Sequence, residues 1–147
     1  MLPHPISTTY LDKQVARISA ALPGAGAYDG TPLELYCAGF STVTIFGKYT
    51  RAAAGGKTQI KIEVSNDADG SDWYQVGAYT QPAVVSATDT TSLVQRNSVS
   101  YGSTAAGAQP FAFPGINIFG AERIRLPARE SGGVAAGTLV LEVIFER

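Results

Sequence analysis

The chain has 147 residues and a formal net charge of −1, with 16% of its residues charged. That length suits one domain able to bury roughly 68–70% of the surface its unfolded form exposes; the balanced charge leaves no basic stripe for neutralising phosphates, so nucleic acid is not expected as a direct partner. Cys37 is the only cysteine, which excludes an intrachain disulfide and a cysteine cluster holding zinc or iron–sulfur.

At the start of the chain, Met1-Leu2-Pro3-His4-Pro5 lacks the basic segment and apolar run of a signal peptide. No window approaches the ~20 apolar residues of a membrane helix. The expectation is a soluble protein made in the cytoplasm, with no membrane partner. Residues 1–9 read as an extended arm, because Pro3 and Pro5 remove two backbone donors and bias their predecessors away from helix. Leu11, Val15, Ile18 and Leu22 then fall on one helical stripe, which predicts a short helix over 10–22, with Thr9 as a cap and Pro23-Gly24 as its stop. An extended segment is the alternative, since Gln14 to Ser19 also alternates. Gly24 to Gly30 reads as a flexible joint, so the chain divides into an arm and joint over 1–30 and a β-domain over 31–147.

Beyond the joint the pattern is β throughout. Strands are expected at Leu33–Ala38, Thr42–Tyr49, Gln59–Ser65, Trp73–Tyr79, Leu93–Tyr101, Ile116–Phe119, Glu122–Leu126 and Thr138–Phe145. Turn signals such as Asp29-Gly30, Gly55-Gly56, Asp69-Gly70, Pro114-Gly115 and Gly132-Gly133 separate nearly all of them. Short strands at this spacing predict an all-β fold, an antiparallel sandwich or jelly roll. The stretch from Phe40 to Val76 reads as its centre: two β-runs joined as a hairpin through Ala52-Ala53-Ala54-Gly55-Gly56, then an acidic turn and Trp73. In the last strand Leu139, Leu141, Val143 and Phe145 share one face, while Val140 and Ile144 on the other predict contact with protein on both sides. The run from Gln81 to Gln109 is polar but uncharged and reads as a long loop or an excursion laid on a neighbour.

Residues able to carry chemistry are few. His4, the only histidine, lies in a proline-flanked terminal arm, a poor place to orient a catalytic base. Gly24-Ala25-Gly26 lacks the third glycine and preceding strand of a phosphate loop. Asn66-Asp67-Ala68-Asp69-Gly70-Ser71-Asp72 resembles the opening of a calcium loop, but Ala78 stands where the bidentate glutamate belongs, and a hairpin turn explains the same residues. No catalytic, cofactor or metal site is expected. Arg123 and Arg125 alternate with Ile124 and Leu126, presenting two guanidinium groups suited to a partner's carboxylates; an ordinary solvated strand face is the alternative. Phe111, Phe113 and Phe119 read as core lining, with a docking patch as the alternative, and Cys37 as a small buried apolar residue.

The block Gly39-Phe40-Ser41 to Lys48-Tyr49, then Lys61 to Asp67, then Asp72-Trp73-Tyr74, resembles short virion proteins of tailed bacteriophages. With a small-residue arm ahead of a β-domain, the chain looks like capsid decoration (cement) proteins of thermophilic long-tailed phages. The resemblance covers about half the chain. It implies a non-enzymatic structural protein on the capsid surface, a homotrimer bound to the major capsid protein. The arm, with Pro3, His4, Pro5, Ile6 and Tyr10, would reach across a neighbour, and Arg123 and Arg125 would add contacts. A carbohydrate- or receptor-binding sandwich using Trp73, Tyr74 and Tyr79, or a tail or head-completion component, are the alternatives.

Overall fold

A computed structural model describes residues 11–24, 27–67, 69–76, 98–118 and 120–147. Eleven strands run in chain order: β1 Leu11–Ala21, β2 Glu34–Tyr36, β3 Thr42–Thr50, β4 Lys57–Lys61, β5 Glu63–Ser65, β6 Tyr74–Gln75, β7 Ser98–Gly102, β8 Ala108–Asn117, β9 Arg123–Arg125, β10 Ala128–Glu130 and β11 Thr138–Glu146. Every pairing is antiparallel, and no helix occurs among the described residues.

The first layer has the order β1-β11-β3-β8. Its centre forms because β11 and β3 alternate cleanly. Leu139, Leu141, Val143 and Phe145 are fully buried and stand opposite Tyr49, Gly47, Ile45 and Val43 across an unbroken ladder. The second layer is built from two short sheets, β10-β4-β7 and β2-β9-β5-β6. They are the two halves of one bent layer. Ile60 pairs Ala128 and Glu63 pairs Arg125 in the same register, while between them Lys61 N donates to Pro127 O at 2.8 Å. Pro127 has no N–H to return, so the ladder breaks there and the strands bend. Ile60, Ile62, Ile124, Leu126 and Ala128 carry the layer's apolar face into one core shared with the first layer, making an antiparallel β-sandwich. Tyr101 of β7 stacks on Phe111 of β8 with centroids 4.6 Å apart, and meets Tyr49 edge-on at 6.5 Å, so aromatic contacts bridge the layers.

The structure corrects several expectations. Residues 11–21 form a strand, not the helix expected over 10–22: β1 pairs with β11 from Leu11↔Glu146 to Ala21↔Thr138. Its irregularities around Arg17 explain the misleading period. A four-residue step keeps one face in a strand as well as in a helix, and the odd step from Val15 to Ile18 falls where β1 is bulged. The Arg17 guanidinium fills the bulge, donating to the carbonyls of Leu139 at 3.0 Å, Ala20 at 3.1 Å and Ala21 at 3.0 Å, and pairing with Asp29 at 3.2 Å. The β-domain therefore begins by Leu11 rather than at residue 31. β3 and β4 are not a hairpin: β3 pairs with β11 and β8, and β4 with β10 and β7. The Ala52–Gly56 segment instead carries the chain from one layer to the other, with Gly55 at φ +78. The single expected run Gln59–Ser65 is divided at Ile62 between β4 and β5, and β10 and most of β8 lie outside the expected strands. The β5–β6 hairpin across the acidic turn forms as expected.

Candidate functional site

Of the arm residues expected to meet a partner, Pro3, His4, Pro5, Ile6 and Tyr10 lie outside the described residues, as do Phe119, Tyr79 and the polar run from 81 to 97. Arg123 and Arg125 stand on β9 and point to the outer face of the second layer, where the flanking strands supply carboxylates from the same chain. Arg125 Nε donates to Glu63 of β5 at 2.6 Å, and Arg123 pairs with Glu34 of β2 at 3.3 Å. The Arg125 guanidinium also lies over the Trp73 ring, 4.1 Å from its centroid. Each guanidinium thus has a carboxylate of its own chain beside it, and Arg123 Nε is buried without a hydrogen-bond partner among the described residues. The same contact occupies one face of Trp73. Further along this face the Tyr28 ring sits between Lys61 at 4.3 Å and Arg129 at 4.5 Å, and Arg129 donates to Gln59 at 2.7 and 2.9 Å. These contacts form a polar network along the face, with Tyr36 exposed beside it.

The acidic turn is likewise saturated by its own backbone. Asp67 accepts from the amides of Asp69 at 2.7 Å, Gly70 at 3.0 Å and Ser71 at 3.3 Å, and from the Ser71 hydroxyl. The Ser71 hydroxyl and these amides hold its carboxyl below the usual aspartate range. Among the described residues no three His, Cys, Asp or Glu side chains cluster as metal ligands. Cys37 is fully buried beneath Ala121, and burial, with Glu122 nearby, pushes its thiol up to about 12, which makes it a poor nucleophile.

Sequence reasoning missed Glu130. Its carboxylate is buried with no ion pair among the described residues, and accepts the Tyr49 hydroxyl at 2.8 Å and the amides of Lys57 at 2.9 Å, Gly133 at 2.9 Å and Gly137 at 3.1 Å. Nothing in Ala128-Arg129-Glu130-Ser131-Gly132-Gly133 signals burial; the glycines that let backbone amides converge on the carboxylate are the only hint. This node joins both layers and is structural.

The outer face of the first layer leaves apolar side chains open. Phe46 is 41% exposed, Val15 47% and Leu11 58%, and Val140 and Ile144 are only half-buried between them. A groove of about 480 Å³ crosses the strands here, lined by Phe46, Pro110, Val140 and Ile144 with Lys13 and Lys48 beside it. The expectation that β11 touches protein on both faces thus meets a face whose apolar side chains stay partly open among the described residues. Comparison with family models, curated proteins and solved structures finds no match for this chain.

Proposed function

We propose that the protein is a non-enzymatic structural component of a phage virion, a decoration protein that binds the assembled shell as an oligomer. The observation that carries this reading is the apolar side chains left open on the outer face of the first layer, while the polar residues considered as site candidates are engaged within the chain. Glu130, Asp67, Arg123, Arg125 and Trp73 are engaged by neighbouring residues, and the Cys37 thiol is buried. Such a molecule offers surface rather than chemistry, as a part of a protein shell requires. Binding only the assembled, expanded shell would stabilise that state by mass action, by about 2.7 kcal/mol per site at a free concentration one hundred times Kd.

The test is co-sedimentation of purified protein with expanded capsids and with unexpanded precursor shells, followed by electron microscopy of the virion to locate it. Saturable binding to expanded shells alone is expected. Absence from the virion, or equal binding to both shells, sinks the reading. The arm is tested by removing residues 1–10, since removing more would delete strand β1. A large loss of shell binding is expected, and unchanged binding would refute a role for the arm.

A further inference from the structure

We infer that the outer face of the first layer is a self-association surface on which a second copy of this chain packs face to face, about a two-fold axis lying between the sheets. Apolar side chains stand on three strands of this face, Leu11 and Val15 on β1, Val140 and Ile144 on β11 and Phe46 on β3, as diagonal neighbours interleaved with Lys13, Glu142, Glu146 and Lys48. The outer face of β11 thus carries Val140 and Ile144 beside Glu142 and Glu146, an apolar share that contact with protein would cover.

The face is also large enough. β11 has nine residues, or about 30 Å at ~3.3 Å per residue, and the layer has four strands spaced ~4.8 Å apart, giving on the order of 600 Å² per copy. Two copies would bury about 1,200 Å², the lower bound of standard specific interfaces.

Charge on the face is self-complementary. Lys13 is paired with Glu142 at 3.1 Å, leaving Lys48 and Glu146 exposed and without ion-pair partners among the described residues. They lie toward opposite ends of the face, because Val140 pairs Lys48 while Glu146 pairs Thr42. A two-fold axis perpendicular to the strands, at the level between Glu142 and Ile144, superposes the level of Lys48 in one copy on that of Glu146 in the other. It also sets Phe46 of each copy against Ile144 of its partner. An isologous contact of this kind closes at two copies; a homotrimer would need a different surface.

The contact would supply the oligomer of the function proposed above, but it stands on the face alone, and dimerisation in free solution tests it whether or not the protein binds a shell. Sedimentation equilibrium of the full-length protein between about 1 and 200 μM is expected to show a monomer–dimer equilibrium. Phe46→Lys, with its circular dichroism spectrum unchanged, is expected to weaken it at least 100-fold. Where that variant fails to fold, the exposed charges decide. Lys48→Glu or Glu146→Lys alone is expected to weaken association about tenfold, and the double variant K48E/E146K to restore it. Tyr74→Lys on the second layer should leave it unchanged. A monomer throughout the concentration range, a trimer, or a dimer indifferent to both charge reversals overturns the inference.

Discussion

Glu130 shows how a single residue fixes the junction of the two layers. Burial alone would raise its pKa, but hydrogen bonds from the Gly137 amide, the Tyr49 hydroxyl and the Lys57 and Gly133 amides outweigh burial and hold it below its ordinary value of 4.5. Opposing donors with a neutral amide leaves at least one of them unmatched. Glu130→Gln is therefore expected to lose about 2–3 kcal/mol of stability at pH 7 in urea unfolding. The pH dependence follows from linkage. Because the folded-state pKa is depressed, the unfolded chain takes up the proton first. The stabilisation is complete above the unfolded value near 4.5 and is lost as pH falls through the folded value. The native protein should thus lose stability as pH falls below about 4.5 with a component missing from Glu130→Gln; parallel pH profiles for the two proteins would count against this role. Tyr49, the donor, has its pKa raised by burial and by the same carboxylate, so it remains a neutral phenol throughout that range.

Strand identity was legible wherever alternation and burial agree. β3 and β11 could be read because their inward residues are all apolar and their partners lie in the same layer. The β5–β6 turn was legible because Asp67 bonds its own backbone, a local interaction written in local sequence. What stayed hidden depends on partners distant in the chain. β8 contains Pro110, Pro114 and Gly115, which read as breakers, but it lies at the edge of its layer, where a missing donor faces solvent. β1 was hidden because its large apolar residues Leu11, Val15 and Ile18 stay exposed and only Ala16 is buried, so no alternating burial marks it; its pairing with β11 makes it a strand. The candidate contacts Arg123 and Arg125 were visible as a pattern, but their partners Glu34 and Glu63 come from strands whose order the sequence does not state. Packing between elements is equally non-local. Gly47 of β3 stands opposite Phe111 of β8, and a Cβ at Gly47 would collide with the Phe111 ring. Gly47→Ala is expected to cost about 1–3 kcal/mol through overpacking and Phe111→Ala about 3 kcal/mol through the lost ring. Because the two changes act on one space, the double variant should cost less than their sum, measured as a double-mutant cycle by urea unfolding. Additive losses would show that the ring and the glycine do not compete.

At the scale of the molecule, the first layer is the organising unit, and the chain returns to it from both ends: β1 near the start and β11 near the finish lie side by side. This closure places the lower boundary of the domain, and truncation tests it. Removing residues 1–10 leaves every pairing of β1 in place, as well as the Arg17–Asp29 ion pair, whose side chains are only 11% and 18% exposed. The melting temperature is expected to stay within about 2 °C of the full-length value. Removing residues 1–22 deletes the β1–β11 ladder, the buried Ala16 and Leu22, and the bond from Leu22 N to Gly137 O at 2.8 Å. It also strips Asp29 of its guanidinium while Asp29 still accepts from Ala128 N at 3.1 Å, leaving a half-buried carboxylate without its cation. Together these losses are of the size that large-effect variants show, at least about 4–5 kcal/mol. For a domain of this length they correspond to a fall of more than about 8 °C, or to failure to fold. The freed edge of β11 would then present an unpaired ladder, so the shorter chain is expected to aggregate at concentrations where the full-length protein does not. Calorimetry and light scattering on the two truncations separate the outcomes. A chain lacking residues 1–22 that melted like the full-length protein would return β1 to the status of an arm and move the domain boundary back to residue 31.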